Sequence, residues 1–517
     1  MEETKMNFTA YLKIMKKSIS LIILLLAAST VVYGQSRHYT SQSLGMGSGG
    51  TAYVDGYHAN FVNPANLMLD THRKNTQVGI ANIGFKAGGS LGNISVYNEY
   101  LTSGQLITDD VRSSMLDSWF GNSSENTREI STTFSISPIG FSHRGSNQAF
   151  SLASRVRITE DISVSKGLAE LYFYGLDSDK FSTPTPIDFS SNTVAFAEVS
   201  VGYARHIDFI EIPDLLFAKD IELFVGVAPK YLYGIYTANL DFNSDLLINN
   251  GSDGSNFRIN HRFDYSLQTI GELSRQLQAY STAYQQNSDA DFGDYVDVGD
   301  AASNDLGSAQ ATGFGLDLGA TVQMDISSVP IPLFMDKKKT LRISMSLTDL
   351  GKLNYDNDAS SVQAVTDEFT YEGVGNDDDV NTFFDNLSDS LQSDVYGNFN
   401  AVGTNGINYN LPSMFNFGAS LEMGKLLLAL DYGKGFNNNG INSDRSVLSL
   451  GAQYKLLGFI PIRVGTRMGG YSSVAYSAGI GLDFSFLEFT VGASNVANSE
   501  AYGSAAGVAW SGLLLRF

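Results

Sequence analysis

Apolar and polar residues alternate at every second position through much of this chain, most clearly from its middle onward. Over 312–325, Phe314, Leu316, Leu318, Ala320, Val322 and Met324 share one face, opposed by Gly315, Asp317, Gly319, Thr321 and Gln323. Over 340–350, Leu341, Ile343, Met345 and Leu347 oppose Arg342, Ser344, Ser346 and Thr348. Over 414–423, Phe415, Phe417, Ala419 and Leu421 oppose Asn416, Gly418, Ser420 and Glu422. A period of two is that of a strand with one apolar face. A soluble sandwich would alternate in the same way, so the pattern alone leaves both folds open.

Counted back from the C-terminus, candidate strands lie near 507–517, 487–495, 475–484, 461–469, 446–455, 425–433, 413–423, 340–350, 312–325, 221–238, 192–205, 148–158, 131–142 and 76–86. That makes about fourteen, and single-chain bacterial barrels close on an even number. With the C-terminus on the inner side, the connections 100–130, 159–191, 239–311, 351–412 and 434–445 fall outside. Most short connections, such as 423–425 and 456–461, fall inside. Long outer loops and short inner turns are the arrangement of outer-membrane barrels. The first strand is the least defined, because 88–100 can extend it, bulge it or lie elsewhere. The fold expected is therefore all-β, a transmembrane antiparallel β-barrel of about 14 strands with long extracellular loops.

Those loops carry helical spacing of their own. Leu267, Ile270, Leu273 and Leu277 suggest a helix over 266–283, and Val380, Phe383, Phe384, Leu387 and Leu391 suggest one over 379–394. Val111, Met115, Leu116 and Trp119 suggest a third over Asp109–Phe120. Loops of this length need such elements to be ordered. They cap the barrel mouth or present a docking surface.

The two ends agree on compartment. Lys16 and Lys17 precede an apolar run, 19–32, followed by Val32-Tyr33-Gly34-Gln35. This is the layout of a secretory signal peptide, and the run is too short for a spanning helix of about 20 residues. Residues 1–34 are assigned to it, with Met15 an alternative start and Gln35 the first mature residue. At the other end, 507–517 reads G-V-A-W-S-G-L-L-L-R-F. Leu513, Leu515 and Phe517 are expected on the outer side, with Trp510, Gly512 and Arg516 on the inner one. A last strand with a terminal Phe resembles the closing strand of bacterial outer-membrane barrels. In those proteins that strand is the signal read by the insertion machinery.

Composition adds limits. There is no cysteine, which excludes a disulfide scaffold, and a net charge of −21 argues against nucleic acid. Mean hydropathy is −0.06, with 51 Gly, 26 Tyr and 32 Phe, which suits strands that face lipid on one side and a lumen on the other. Membrane embedding, if any, must use strands. Six histidines (38, 58, 72, 143, 206 and 261) show no metal spacing. No nucleophile elbow or zinc-protease motif occurs, so neither a catalytic residue nor a metal ligand is assigned and no enzyme is expected. Asp377-Asp378-Asp379, with Asp356, Asp358, Asp367 and Glu368, lacks the spacing of a calcium loop and reads as a solvated acidic loop.

Gly45-Met46-Gly47-Ser48-Gly49-Gly50 matches G-x-G-x-x-G, with Asp70 twenty residues beyond Gly50. No strand–helix unit surrounds it, so it is not read as a dinucleotide fingerprint, and no cofactor is implied. The longer stretch 44–67, L-G-M-G-S-G-G-T-A-Y-V-D-G-Y-H-A-N-F-V-N-P-A-N-L, is more informative. Gly45, Met46, Gly47, Ala52, Val54, Asp55, Ala59, Asn63, Pro64 and Ala65 resemble the N-terminal segment of the FadL-like barrels, a family that includes long-chain fatty-acid transporters and the type IX secretion barrel PorV. That resemblance implies a hatch, residues 35–75, inside a barrel formed by 76–517. Gly45, Met46, Gly47, Asp55, Asn63, Pro64 and Ala65 would form the hatch and its gate. Ser346-Leu347-Thr348-Asp349-Leu350-Gly351 and Leu411-Pro412-Ser413-Met414-Phe415-Asn416-Phe417-Gly418 are similar to a branch of such barrels in Bacteroidota whose function is largely unassigned.

The function expected is uptake or binding of small hydrophobic compounds across the outer membrane. The partners this implies are outer-membrane lipid, the barrel-insertion machinery and a hydrophobic ligand. The long acidic loops depart from compact fatty-acid transporters. They motivate the alternative of a type IX secretion or gliding accessory that anchors secretion-system proteins without transporting small molecules.

Overall fold

The computed structural model describes residues 38–517, apart from 73, 105, 123–125, 175–178, 209–217, 251–256, 288–289, 291, 298–300, 302–303, 305–308, 332–337, 357–358, 373–400, 405, 440–441, 443, 471 and 500–502. Fourteen antiparallel strands close into a barrel. In chain order they are β1 Thr76–Gly89, β2 Thr127–Arg144, β3 Gln148–Ser165, β4 Phe189–His206, β5 Lys219–Asn250, β6 Ala311–Asp325, β7 Lys339–Tyr355, β8 Met414–Met423, β9 Leu426–Gly435, β10 Val447–Leu456, β11 Ile460–Gly469, β12 Ser472–Asp483 and β13 Leu487–Ser499. The last, β14, runs in two pieces, Gly503–Trp510 and Leu513–Arg516. Each strand pairs with the next, and the ring closes where β1 meets β14, with Phe85 opposite Val508 and Ile80 opposite Leu513. Closure leaves no open edge among the fourteen strands of the ring, as a lipid-exposed sheet requires.

The alternation resolves into two surfaces. Arg342, Ser344, Ser346, Asn416, Ser420, Asp317 and Thr321 point inward and are buried. Phe314 (75% exposed), Met345, Phe417, Val464 and Ile480 point outward. Outward aromatics pair across strands as Tyr231–Phe314 and Phe489–Trp510. A contiguous apolar belt around a polar interior is costly in water and favourable in lipid. No helix among the described residues is long and apolar enough to cross a membrane. The protein is a membrane β-barrel.

Three sequence expectations need correction. Trp510 faces out rather than sharing the inner side with Arg516. The reason is a break at Ser511-Gly512, where Gly512 takes φ +63° and shifts the strand's phase by one. Arg516 itself points inward as expected, and Leu513, Leu515 and Phe517 lie on the outer side. The helix expected over 266–283 begins only at Gly271. Leu267 belongs to a strand, Phe257–Thr269, and the helix is Gly271–Gln286, started by Gly271 at φ +63° and burying Leu273, Leu277, Tyr280 and Tyr284. The connections 239–311 and 351–412 are therefore not plain loops. β5 runs out to Asn250, Phe257–Thr269 pairs with its outer half, and Ser360–Glu372 pairs with that strand in turn.

The helix over Asp109–Phe120 forms where its spacing placed it. Thr108 caps it, Asp109 and Asp110 occupy its first turn, and Met115, Leu116 and Phe120 are buried. The helix expected over 379–394 and the acid run 377–379 lie outside the described residues. Beyond β1, 88–100 neither extends nor bulges the strand past Gly89 but turns into a short helix, Ile94–Val96, continued by Tyr97–Leu101.

Candidate functional site: the plugged lumen

Residues 38–69 pass through the interior of the barrel and are buried almost throughout. A short helix, Ser41–Gly45, is held at its start by a reciprocal capping box between Thr40 and Ser43. Single turns follow at Gly56–Phe61 and Pro64–Met68. The segment presses its backbone onto inward-facing glycines of the wall. A Cβ on Gly465 would collide with Gly47, one on Gly451 with Met46, and one on Gly226 with Pro64 and Ala65. On the plug side, Gly47 takes φ +85°, and a Cβ there would stand 2.7 Å from the Thr466 carbonyl oxygen. The G-x-G match is thus a packing feature.

Polar bonds fix the register of plug and wall. Asn63 is the hub: its Nδ2 donates to the Thr51 carbonyl at 2.9 Å and to Thr321 Oγ1 at 3.0 Å, and its Oδ1 accepts from the Ala65 amide at 3.2 Å. Asn66 donates to the Thr51 and Val54 carbonyls, both at 3.0 Å. From the wall, Ser346 donates to the Val62 carbonyl at 2.7 Å, Ser420 to the Ala52 carbonyl at 2.9 Å, and Asp431 accepts from the Thr51 amide at 2.8 Å. Asn63-Pro64-Ala65 therefore acts as an N-cap and turn that docks on β6.

Asp55 stands apart from this hub. It accepts from the Thr71 hydroxyl and lies 3.5 Å from the His72 imidazole, at the inner end of the plug. Asp70, the acidic residue of the discarded fingerprint, pairs with Arg144 at 2.7 Å.

Above the plug lies a cluster that no motif announced. Arg155 and Arg157 of β3, Glu198 of β4, Lys230 of β5, Asp317 of β6 and Asp349 of β7 are all buried and face one another. Arg157 forms a bidentate pair with Asp349, both contacts 2.9 Å. Arg155 Nε meets Glu198 at 2.5 Å, and Lys230 Nζ reaches Asp349 at 2.6 Å and Asp317 at 2.7 Å. Three cations face three carboxylates, so the set is neutral when every member is ionised. Phe61 of the plug lies beneath it, 4.1 Å from the Arg155 guanidinium and 5.4 Å from Lys230. Cation–π contacts of this kind strengthen when desolvated. Asp349 takes φ +56°, in the S-L-T-D-L-G segment noted from sequence.

Outside the cluster lies an apolar layer, built from Val194, Phe196, Leu232, Leu353, Tyr355 and Leu411 with Tyr409 against them. The residues of the 411–418 motif serve this layer and the wall: Leu411 and Met414 are fully buried, and Ser413 donates to the Asp349 carbonyl at 2.7 Å.

Two histidines of the plug, His38 and His58, meet ring nitrogen to ring nitrogen at 2.8 Å. Such a bond needs complementary tautomers, one donating and one accepting. Burial pushes His58 down to about 3. Burial, then His58 and the cluster's cations, holds His38 well below the usual imidazole range. Among the described residues no group of acidic, histidine or cysteine side chains is arranged to hold a metal.

Residues 64–494 match the model of a protein family described as a family of unknown function, DUF5723. The chain belongs to that family. No curated protein matches it. Solved structures that overlay this DUF5723 member include the toluene transporter TbuX of Ralstonia pickettii, at 12% identity and a TM-score of 0.41, covering 94% of this chain and 100% of that one. The toluene transporter TodX of Pseudomonas putida overlays at 11% identity and 0.42, covering 93% and 98%. The monoaromatic hydrocarbon channel CymD overlays at 10% and 0.38, covering 92% and 97%. Likenesses of this order carry no information about cargo.

Proposed function

We propose that this DUF5723 member is an outer-membrane barrel that binds small hydrophobic or amphiphilic compounds at its outer side and admits them when the N-terminal segment, acting as a hatch, moves. The observation that carries the reading is how the lumen is closed. The plug is held to the wall by hydrogen bonds with Thr321, Ser346, Ser420 and Asp431 and by one aromatic ring under the charge cluster. The wall around it is a continuous covalent and hydrogen-bonded ring. The plug is therefore the part that can release without dismantling the barrel.

The cluster supports a gating role on energetic grounds. Buried ion pairs rarely stabilise more than apolar packing of the same volume, because taking charges out of water costs several kcal/mol per ion. Their use here is to make one arrangement of Phe61 favourable and others not. In this reading Gly45, Met46, Gly47, Asn63, Pro64 and Ala65 are the gate's packing and hinge, Asp55 ties its inner end, and Leu513, Leu515 and Phe517 form the outward insertion signal. The sequence pattern over 16–35, which reads as a signal peptide, and the outward row Leu513, Leu515 and Phe517 support the outer membrane as the location. No feature among the described residues favours the partner-anchoring alternative over this one.

The test is a reversible lock. Ser41 and Thr490 touch through their hydroxyls at 2.5 Å, and the chain has no cysteine of its own. The pair Ser41→Cys and Thr490→Cys should oxidise to tie the plug to β13. Entry into liposomes of a fluorescent alkyl sulfonate, an amphiphile that a bare bilayer excludes, is expected to stop on oxidation and return with reductant. Equal entry in both states would overturn hatch gating.

A further inference from the structure

The cavity at the outer mouth of the barrel, of about 220 Å³, is not the apolar pocket that hydrocarbon cargo would want. Its wall is built from two successive rungs of the β3–β4–β5 sheet. Asp161, Asn192 and Asn239 stand opposite one another in one rung, and Thr159, Val194 and Thr237 in the next. Neighbouring strands lie about 4.8 Å apart, so the rungs present carboxylate, amide and hydroxyl groups as a regular ladder. Asn408 closes the far side. Tyr409 also lines it, its ring centroid 6.0 Å from that of Phe196 beneath.

A second observation points to a ligand. Thr237 is 1% exposed and its Oγ1 has no hydrogen-bond partner among the described residues; Asn239 and Asp161 are half-buried, and the Oδ1 of each likewise has none. Buried polar atoms left unpaired are rare, and each costs roughly 1–3 kcal/mol. Three of them converge on the wall of this one cavity, where a hydrogen-bonding guest would meet them.

The chemistry of the wall narrows what that is. No Lys or Arg lines the cavity, and one carboxylate does, which disfavours an anion. A single carboxylate among amides is a poor cation site. An apolar guest would leave all three orphaned atoms unsatisfied. We infer that this cavity binds a neutral, hydroxyl-rich group, a single sugar residue, whose hydroxyls bond Asp161, Asn192, Thr237 and Asn239 while its ring lies near Tyr409. The volume falls below the roughly 300–1,000 Å³ of drug-sized pockets, as suits one sugar unit. The inference deepens the uptake reading and rests on it: the compound admitted is an amphiphile with a sugar head, and a short neutral saccharide offers the same head without the tail. The two sources share one recognition chemistry.

The experiment uses the whole barrel in a detergent without sugar. Saturation-transfer NMR is recorded with maltotriose, cellotriose and chitotriose, and with dodecyl maltoside as the lipid-like arm. At least one probe is expected to bind, and Thr237→Val and Asn239→Leu are each expected to weaken it about tenfold or more. Because Thr237→Val also removes an unsatisfied buried hydroxyl, it should not lower the thermal stability of the barrel, which a merely structural role for Thr237 would require. Binding by a free trisaccharide assigns a soluble source, and binding by dodecyl maltoside alone assigns a lipid headgroup. No binding by a barrel that migrates as folded, unchanged binding in both variants, or displacement of the sugar by laurate would each overturn the inference. The oxidised lock between positions 41 and 490 lies far below this cavity, so binding should survive it. Sugar binding without gated entry would sink the hatch reading alone, and gated entry without sugar binding would sink the cavity assignment alone.

Discussion

Replacing the hub of the plug should open it without unfolding the wall. Asn63→Ala removes the bonds to Thr51 and Thr321, and the one accepted from the Ala65 amide. The first two acceptors are not abandoned. The Thr51 carbonyl keeps Asn66 Nδ2, and Thr321 Oγ1 still donates to Asn66 Oδ1 at 2.8 Å and contacts Ser344 at 2.9 Å. The Ala65 amide loses its cap, and a buried unsatisfied donor costs about 1–3 kcal/mol. With the lost donors, the docked state should weaken by about 2–3 kcal/mol, which is roughly a thirty- to one-hundred-and-fifty-fold rise in the released fraction.

The readout is thiol labelling at Ala52→Cys, a position fully buried under the wall in a chain that otherwise lacks cysteine. Maleimide should react slowly in the Ala52→Cys protein and faster by that factor once Asn63→Ala is added. Heat-modifiable gel migration reports whether the barrel itself stays folded. Equal labelling rates in two folded barrels would refute Asn63 as the hub. Loss of the folded band would show instead that plug and wall are one cooperative unit.

Acid should loosen the same segment. His58 sits near 3 when docked, against about 6.5 when free, so below pH 6.5 a released plug takes up a proton that the docked one refuses. Docking therefore weakens as pH falls, by about 2 kcal/mol at pH 5 from His58 alone. Conductance of single barrels in planar bilayers should show more openings at pH 5 than at pH 7.5, and the double change His38→Asn with His58→Asn should remove most of the difference. Glycine substitutions should separate backbone conformation from close approach. Gly47→Ala and Gly458→Ala share a φ near +85°, but only Gly47 meets the wall, whereas Gly458 faces open space. Gly458→Ala should keep the slow labelling at position 52, and Gly47→Ala should not.

The fold was legible because a lipid-facing strand must alternate, and a closed ring must do so in every strand. Asp317 and Leu318, or Ser344 and Met345, show the two faces in neighbouring residues, so all fourteen strands could be counted. Phase failed where the backbone slips without changing composition. At Ser511-Gly512 a single glycine turns Trp510 outward, and nothing in W-S-G-L tells that step from a straight strand. The outer extension was hidden for a related reason. β5 continues past the membrane into polar residues such as Asn239, Asp241 and Asn243, which look like loop until Phe257–Thr269 is seen paired with them.

The plug was found by resemblance, and its glycines and Asn63 have a physical role that matches. The charge cluster was not found at all, although Arg155, Arg157, Glu198, Lys230 and Asp317 each occupy an inward phase that the alternation defines, and Asp349 stands at the irregular step that ends it. An inward Arg or Asp is ordinary in a water-filled barrel. It becomes informative only when five strands, separated by up to about two hundred residues, bring six such charges into contact. Period tells which side of the wall a residue takes; convergence needs the register between strands. The outer cavity has the same origin, since Asp161, Asn192 and Asn239 become one rung only through the pairing of β3, β4 and β5.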